Sequence, residues 1–121
     1  MNRTAKGRSA ETKIVQYLSS RGFKILGRNY TIRGGEIDII ARKDEAIVFV
    51  EVKSLQSEKY IALHETISER KKNTLIRACR YWLWDNKMED IDWRIDFIGI
   101  VLDAANRIKK LKHLENAIGY F

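Results

Sequence analysis

A chain of 121 residues, 45% apolar and 32% charged, can bury one core without disulfides or a structural metal, which sets aside disordered and fibrous classes. Its lone Cys79 and two histidines, His64 and His113, exclude a disulfide framework and a zinc cluster, and no apolar run is long enough to cross a bilayer, so a cytoplasmic protein with no membrane partner is expected. The net charge of +7 sits wholly in residues 1–34, where eight Lys and Arg face the single acid Glu11, and such a surface attracts a polyanion, most commonly nucleic acid.

No proline, repeat or linker divides the chain, so one domain over residues 1–121 is expected, with residues 1–7 a basic arm lacking an apolar pattern. Ser9 to Ser20 predicts a helix, with an apolar stripe of Ile14, Val15 and Leu18, a Ser9 cap and Gly22 at its end. Phe23 to Ile32 reads as a strand, and Gly34-Gly35 marks a turn or a close backbone approach. Glu36 to Ala41 and Ala46 to Lys53, rich in Ile, Val and Phe, predict two strands joined through the polar stretch Arg42 to Glu45. Residues 54–66 give a loop with a short helical piece. A long helix then starts near Ser68 and carries Leu75, Ala78, Cys79, Trp82 and Leu83. Trp93 to Leu102 and Arg107 to Leu111 are the last strands. The order α-β-β-β-α-β-β implies an α/β fold, a mixed central sheet flanked by helices.

Strand periodicity singles out an acidic centre. Side chains two apart share a face, so Glu51 and Lys53 lie with Ile47 and Phe49, while Val48, Val50 and Val52 take the other face. A carboxylate in so apolar a strand needs a cation, a metal or a proton. Glu36 and Asp38 share a face on the preceding strand. A two-residue turn at Asp44-Glu45 pairs Lys43 with Ala46 and, continued, sets Asp38 opposite Glu51, with Cβ atoms roughly 4.5–5.5 Å apart. Two carboxylates at that distance repel unless a hard cation such as Mg²⁺ or Mn²⁺ lies between them; the alternative is a structural ion pair with Lys53. Glu11 extends the apolar stripe of the first helix and is expected to reach the site as a metal ligand or support, unless it simply favours the helix start. Lys71 is expected to point inward near the start of the long helix, and it, Arg70 or Lys72 could hold a phosphate. Arg28 and Arg33 add to the surface expected to hold a nucleic-acid backbone. Asp96, between Ile95 and Phe97, reads as structural and paired with Arg94.

Gly34-Gly35-Glu36-Ile37-Asp38-Ile39-Ile40-Ala41 followed by Val48-Phe49-Val50-Glu51-Val52-Lys53 resembles the UPF0102, or YraN-like, family. The likeness takes in Gly7, Glu11, Leu18, Gly22, Asn29, Lys71, Arg94-Ile95-Asp96 and Asn116-Ala117, nearly the whole chain. It implies a restriction-endonuclease-like, PD-(D/E)XK, fold similar to archaeal Holliday junction resolvases. By that likeness Asp38, Glu51 and Lys53 match the Asp…Glu-x-Lys signature, and Glu11 the acid of the first helix. Ile37 stands where the signature has proline, Ser54 where the family usually has arginine, Ile61 near its usual glycine and Ile14 where it has a small residue, so the loop from Ser54 to Leu63 differs in shape or substrate contact. The implied function is metal-dependent hydrolysis of DNA, branched or single-stranded. Asp38, Glu51 and Glu11 would hold Mg²⁺ or Mn²⁺, and Lys53 would orient the nucleophile or donate to developing charge. A two-fold junction substrate would call for a homodimer, for which Trp84 and Tyr120 offer aromatic surface. The rival readings are a non-catalytic nucleic-acid-binding protein that keeps the fold and a metal-dependent phosphoesterase on small substrates.

Overall fold

The structure is a computed structural model that describes residues 5–55 and 67–118, with side chains from Ser9 onward. The loop around Tyr60 and Ile61, most of the basic arm and Tyr120 lie outside the described residues. The elements run α1 (Ala5–Ser20), β1 (Lys24–Ile32), β2 (Gly35–Lys43), β3 (Ala46–Leu55), α2 (Glu69–Asp85), β4 (Trp93–Leu102) and β5 (Ile108–Leu114). One five-stranded sheet has the order β1-β2-β3-β4-β5, antiparallel throughout except for the parallel β3–β4 pair, which α2 joins as a crossover. The expected mixed sheet and element order are therefore present. Among the described residues no helix is long and apolar enough to cross a membrane.

Each helix covers one face of the sheet. Ala10, Ile14 and Leu18, one turn apart on α1, are fully buried against Ile39, Ala41, Val48, Val50, Ile98 and Ile100. On the opposite face Leu75, Ala78, Cys79 and Trp82 of α2 meet Ile37, Ile40, Phe49, Ile95 and Phe97. Two covered faces explain why the middles of β3 and β4 lack polar alternation: Ile47, Phe49, Ile95 and Phe97 enter one core, and Val48, Val50, Ile98 and Ile100 the other. Each fully buried Ile, Leu or Phe contributes about 1.5–3 kcal/mol of transfer free energy.

The ends of α1 correct one expectation and support another. The helix begins at Ala5, so residues 5–7 are helical and Ser9 is not its cap. Ala10 extends the buried stripe a turn towards the N-terminus, and the Ser9 hydroxyl accepts from the Asn106 side-chain amide at 2.6 Å. At the other end Gly22 takes φ +87° and the Phe23 N–H reaches back to the Leu18 carbonyl, a left-handed exit that suits glycine.

Two turns fix the register that the site depends on. Arg33-Gly34 forms the β1–β2 turn, with Gly34 at φ +82° and Ile32 opposite Gly35. Gly35 is the close approach: a Cβ there would stand 3.0 Å from the Thr74 carbonyl of α2. Asp44-Glu45 forms the two-residue β2–β3 turn, and Lys43 pairs with Ala46 as expected. The ladder then runs to Ile39 opposite Val50 and stops one pair short of Asp38 and Glu51. Ile37 joins the α2-side core and Ile39 the α1-side core, although they are two apart. Strict alternation, which would keep Glu36 and Asp38 on one face, thus slips by one residue around Asp38.

Candidate active site

Where the ladder stops, the side chains take over. Asp38 Oδ2 accepts the Val52 backbone N–H at 2.8 Å, so its carboxylate occupies the place of a strand partner and is locked against β3. Glu51 projects from β3 on the face covered by α2, close enough to Asp38 that its carboxyl, when protonated, donates to the Asp38 carboxylate. The predicted confrontation of two carboxylates is present, made by side chains beyond the end of the regular ladder.

Ser68 brings a cation to the pair. It caps α2 by accepting the Lys71 N–H at 3.1 Å, which sets the first turn of the helix over the end of β3. Lys71 Nζ then lies 3.2 Å from Glu51 Oε2. The lysine that neutralises Glu51 is therefore Lys71, and Lys53 stands exposed two residues along the strand. Burial first, and the Asp38 charge second, push the Glu51 carboxyl up from 4.5 to about 7 against the pull of Lys71. In the same contact Glu51 raises the Lys71 ammonium above its ordinary value. A carboxyl that changes protonation near neutrality, beside a carboxylate and an ammonium, can exchange a proton or accept a hard cation. Were a cation to bind here, Asp38 and Glu51 would be the side chains to hold it.

The other expected members are placed differently. Glu11 is buried on α1, with Oε1 4.0 Å from Arg28 Nη2. Arg28 pairs in register with Ile39, next to Asp38, so this couple flanks the site from the α1 side. Among the described residues no three His, Cys, Asp or Glu side chains form a metal-binding group, so Glu11 is not gathered with Asp38 and Glu51. Arg70 is exposed, Lys72 pairs with Glu69 at 3.1 Å, and Arg33 is exposed in the β1–β2 turn.

A second polar cluster contains the expected Arg94–Asp96 pair and adds partners from β5 and α1. Asp96, fully buried, accepts from Arg94 Nε at 3.0 Å, the Asn116 N–H at 2.9 Å and His113 Nε2 at 2.8 Å. His113 Nδ1 lies 3.0 Å from the Tyr17 hydroxyl, which ties α1 to β4 and β5. Burial pushes Asp96 up, but the bonds from His113, Arg94 and Asn116 together outweigh it and hold the carboxyl below its usual value. Of these groups, Tyr17, Arg94 and His113 border a cleft of about 370 Å³ with Arg21, Phe23 and Lys43, at the β2–β3 turn end of the sheet and away from Glu51. The Arg94–Asp96 pairing was legible from adjacency on one strand. The contact between Tyr17 and His113, far apart in sequence, left no local signal.

Comparison with known proteins shows the family of this chain. Residues 10–100 match the model of the uncharacterised protein family UPF0102. A UPF0102 protein of Carboxydothermus hydrogenoformans is 43% identical over 120 residues, covering 99% of this chain and 100% of that one. Another from Sulfurihydrogenibium is 38% identical over 117 residues, 97% of this chain and 96% of the relative. Among solved structures, an EndoMS–dsDNA2 complex aligns with 84% of this chain and 37% of its own, at 21% identity and a TM-score of 0.42. The family model and the full-length relatives agree, and the chain belongs to the UPF0102 (YraN-like) family.

Proposed function

We propose that this protein is a metal-dependent nuclease with an endonuclease-like core, hydrolysing phosphodiester bonds in DNA at the Asp38–Glu51 centre. The observation that carries the reading is the enforced meeting of Asp38 and Glu51 under Lys71. Two half-buried carboxylates held side by side are costly unless a proton or cation lies between them. The donor set suits Mg²⁺ or Mn²⁺, which prefer carboxylate oxygens and are commonly held by one or two carboxylates together with substrate phosphate. When bound, such an ion supplies neutralisation of a phosphate oxygen and a more acidic water.

The residues of the chain do the rest. The Val52 N–H fixes the Asp38 carboxylate, so one oxygen is oriented by backbone rather than by a mobile side chain. Glu51 can take up or release a proton near neutral pH. Lys71, 55% exposed at its side chain, holds positive charge at the mouth of the site, where it can turn from Glu51 to an incoming phosphate. Lys53 alternates with Glu51 on β3 and donates to charge developing on the phosphate. Glu11 and Arg28 support the α1 side of the same strand ends.

The test is incubation of purified protein with labelled four-way, flap, single-stranded and duplex DNA plus Mg²⁺ or Mn²⁺. The reading requires cleavage of at least one substrate that is abolished by chelator and reduced by orders of magnitude in Glu51→Gln and Lys53→Ala. Salt-dependent binding across the panel without metal-dependent cleavage would favour a binding protein. Hydrolysis of small phosphoesters alone would favour the phosphoesterase reading.

A further inference from the structure

The solvent face of α2 carries a second feature, distinct from the carboxylate pair. At 100° per residue, Arg70, Asn73, Arg77, Arg80, Tyr81 and Trp84 fall on one stripe, opposite the buried Leu75, Cys79 and Trp82. All six are exposed, Trp84 at 61% and Tyr81 at 47%. The stripe contains no acid. The two acids of α2, Glu69 and Asp85, stand at its ends. None of the three arginines has an ion-pair partner among the described residues, and Arg77 and Arg80, three apart, repel each other across the helix surface.

An exposed tryptophan and tyrosine in ring contact are also unusual for a surface that serves only solubility. Their centroids are 5.7 Å apart with planes tilted by 59°, so the two rings present differently oriented faces. Arg77 precedes Tyr81, and Arg80 precedes Trp84, by one helical turn. Each ring thus has an arginine one turn before it on the same stripe, and Arg77 Nη2 donates weakly to the Arg33 carbonyl at 3.4 Å, a contact a phosphate can replace. From Arg70 to Trp84 the stripe spans about 21 Å at the helical rise. It begins one residue from Lys71, which contacts Glu51.

We propose that this stripe binds unpaired nucleotides of a nucleic-acid strand. Trp84 and Tyr81 stack on bases, Arg77 and Arg80 hold the phosphates between them, and Arg70 leads the strand towards Lys71. The charge complementarity is with a polyanion. The exposed π faces distinguish an unpaired strand, whose bases are open to stacking, from a duplex, whose bases already stack on one another. This rests on the nuclease reading for its direction towards Glu51 and makes the single-stranded part of a substrate its recognised feature.

Binding of labelled oligo(dT) and of a duplex of equal length, measured by fluorescence anisotropy in chelator, separates the two ideas because no turnover is needed. Tyr81→Ala/Trp84→Ala is expected to weaken oligo(dT) binding by about tenfold or more while moving duplex binding far less. Arg77→Ala/Arg80→Ala should weaken both and reduce the slope of log affinity against log salt by roughly 1.5. Both pairs are exposed, so circular dichroism should report an unchanged fold. Wild-type oligo(dT) affinity in the aromatic variant would overturn the proposal. So would a wild-type dimer in sedimentation that Trp84→Ala converts to monomer without changing DNA binding, since the patch would then join two copies of this chain. Absence of cleavage with stacking intact would overturn the nuclease reading alone.

Discussion

At the scale of single residues, Glu51 dominates because its environment is assembled from three elements. Its folded value of about 7 lies above the ordinary 4.5, so the folded protein holds this proton more tightly than the unfolded chain. Stability from that proton is fully present below the unfolded value and is lost as pH rises through about 7. In metal-free protein the melting temperature of wild type relative to Glu51→Gln should therefore fall between pH 5 and pH 8. A pH-independent difference would show that the carboxyl is not desolvated as described. Asp96 has the opposite sign: its depressed value gives stability above the unfolded value that is lost as pH falls through the folded one. Asp96→Ala would strand Arg94, His113 and the Asn116 N–H and should cost about 3–5 kcal/mol in chemical denaturation. Legibility at this scale was mixed. Asp38, Glu51 and Lys71 could be read because strand and helix periods place a residue on a face without tertiary knowledge. Lys53 stood as counter-ion only in the alternative reading, as a neighbour of Glu51 on the same strand face. The choice of Lys71 instead depends on where α2 docks, which no local pattern encodes.

Among elements, α2 is the one that couples fold to site. Its first turn is set by the Ser68 cap and its distance from the sheet by Gly35. Ser68→Ala should cost about 1 kcal/mol and loosen the Lys71–Glu51 contact. Gly35→Ala meets the Thr74 carbonyl at 3.0 Å and Ala78 Cβ at 3.4 Å, both on a rigid helix. It should lower the melting temperature and, by lifting α2, reduce cleavage more than Ser68→Ala does. Equal activity in wild type and Gly35→Ala would mean that helix position does not matter to the site. The strands and the hairpin register were readable because Asp44-Glu45 leaves one reasonable pairing and a slip would exchange the two cores. The misplaced start of α1 has a physical cause as well. A serine near a helix start is a strong capping signal, but the Ser9 hydroxyl is engaged by Asn106 from beyond β4.

For the whole molecule, the sheet separates two duties. One end carries the Asp38–Glu51 centre beside the basic, aromatic face of α2. The other is held by the Tyr17–His113–Asp96–Arg94 network between α1 and the last two strands. Both cores must be intact for the strand ends to converge, so Ile14→Ala, at a fully buried position, should cost about 2–5 kcal/mol. That loss should appear as a cooperative shift in urea unfolding. The claim on which the functional reading stands is that Asp38 and Glu51 hold a divalent cation, and it can be checked without knowing the substrate. Titration of Mn²⁺ into ¹⁵N-labelled protein should broaden the amide signals of Asp38, Glu51 and Val52 first, and Asp38→Asn/Glu51→Gln should abolish that broadening while leaving the rest of the spectrum in place. Broadening centred elsewhere, or unchanged in the double variant, would contradict it.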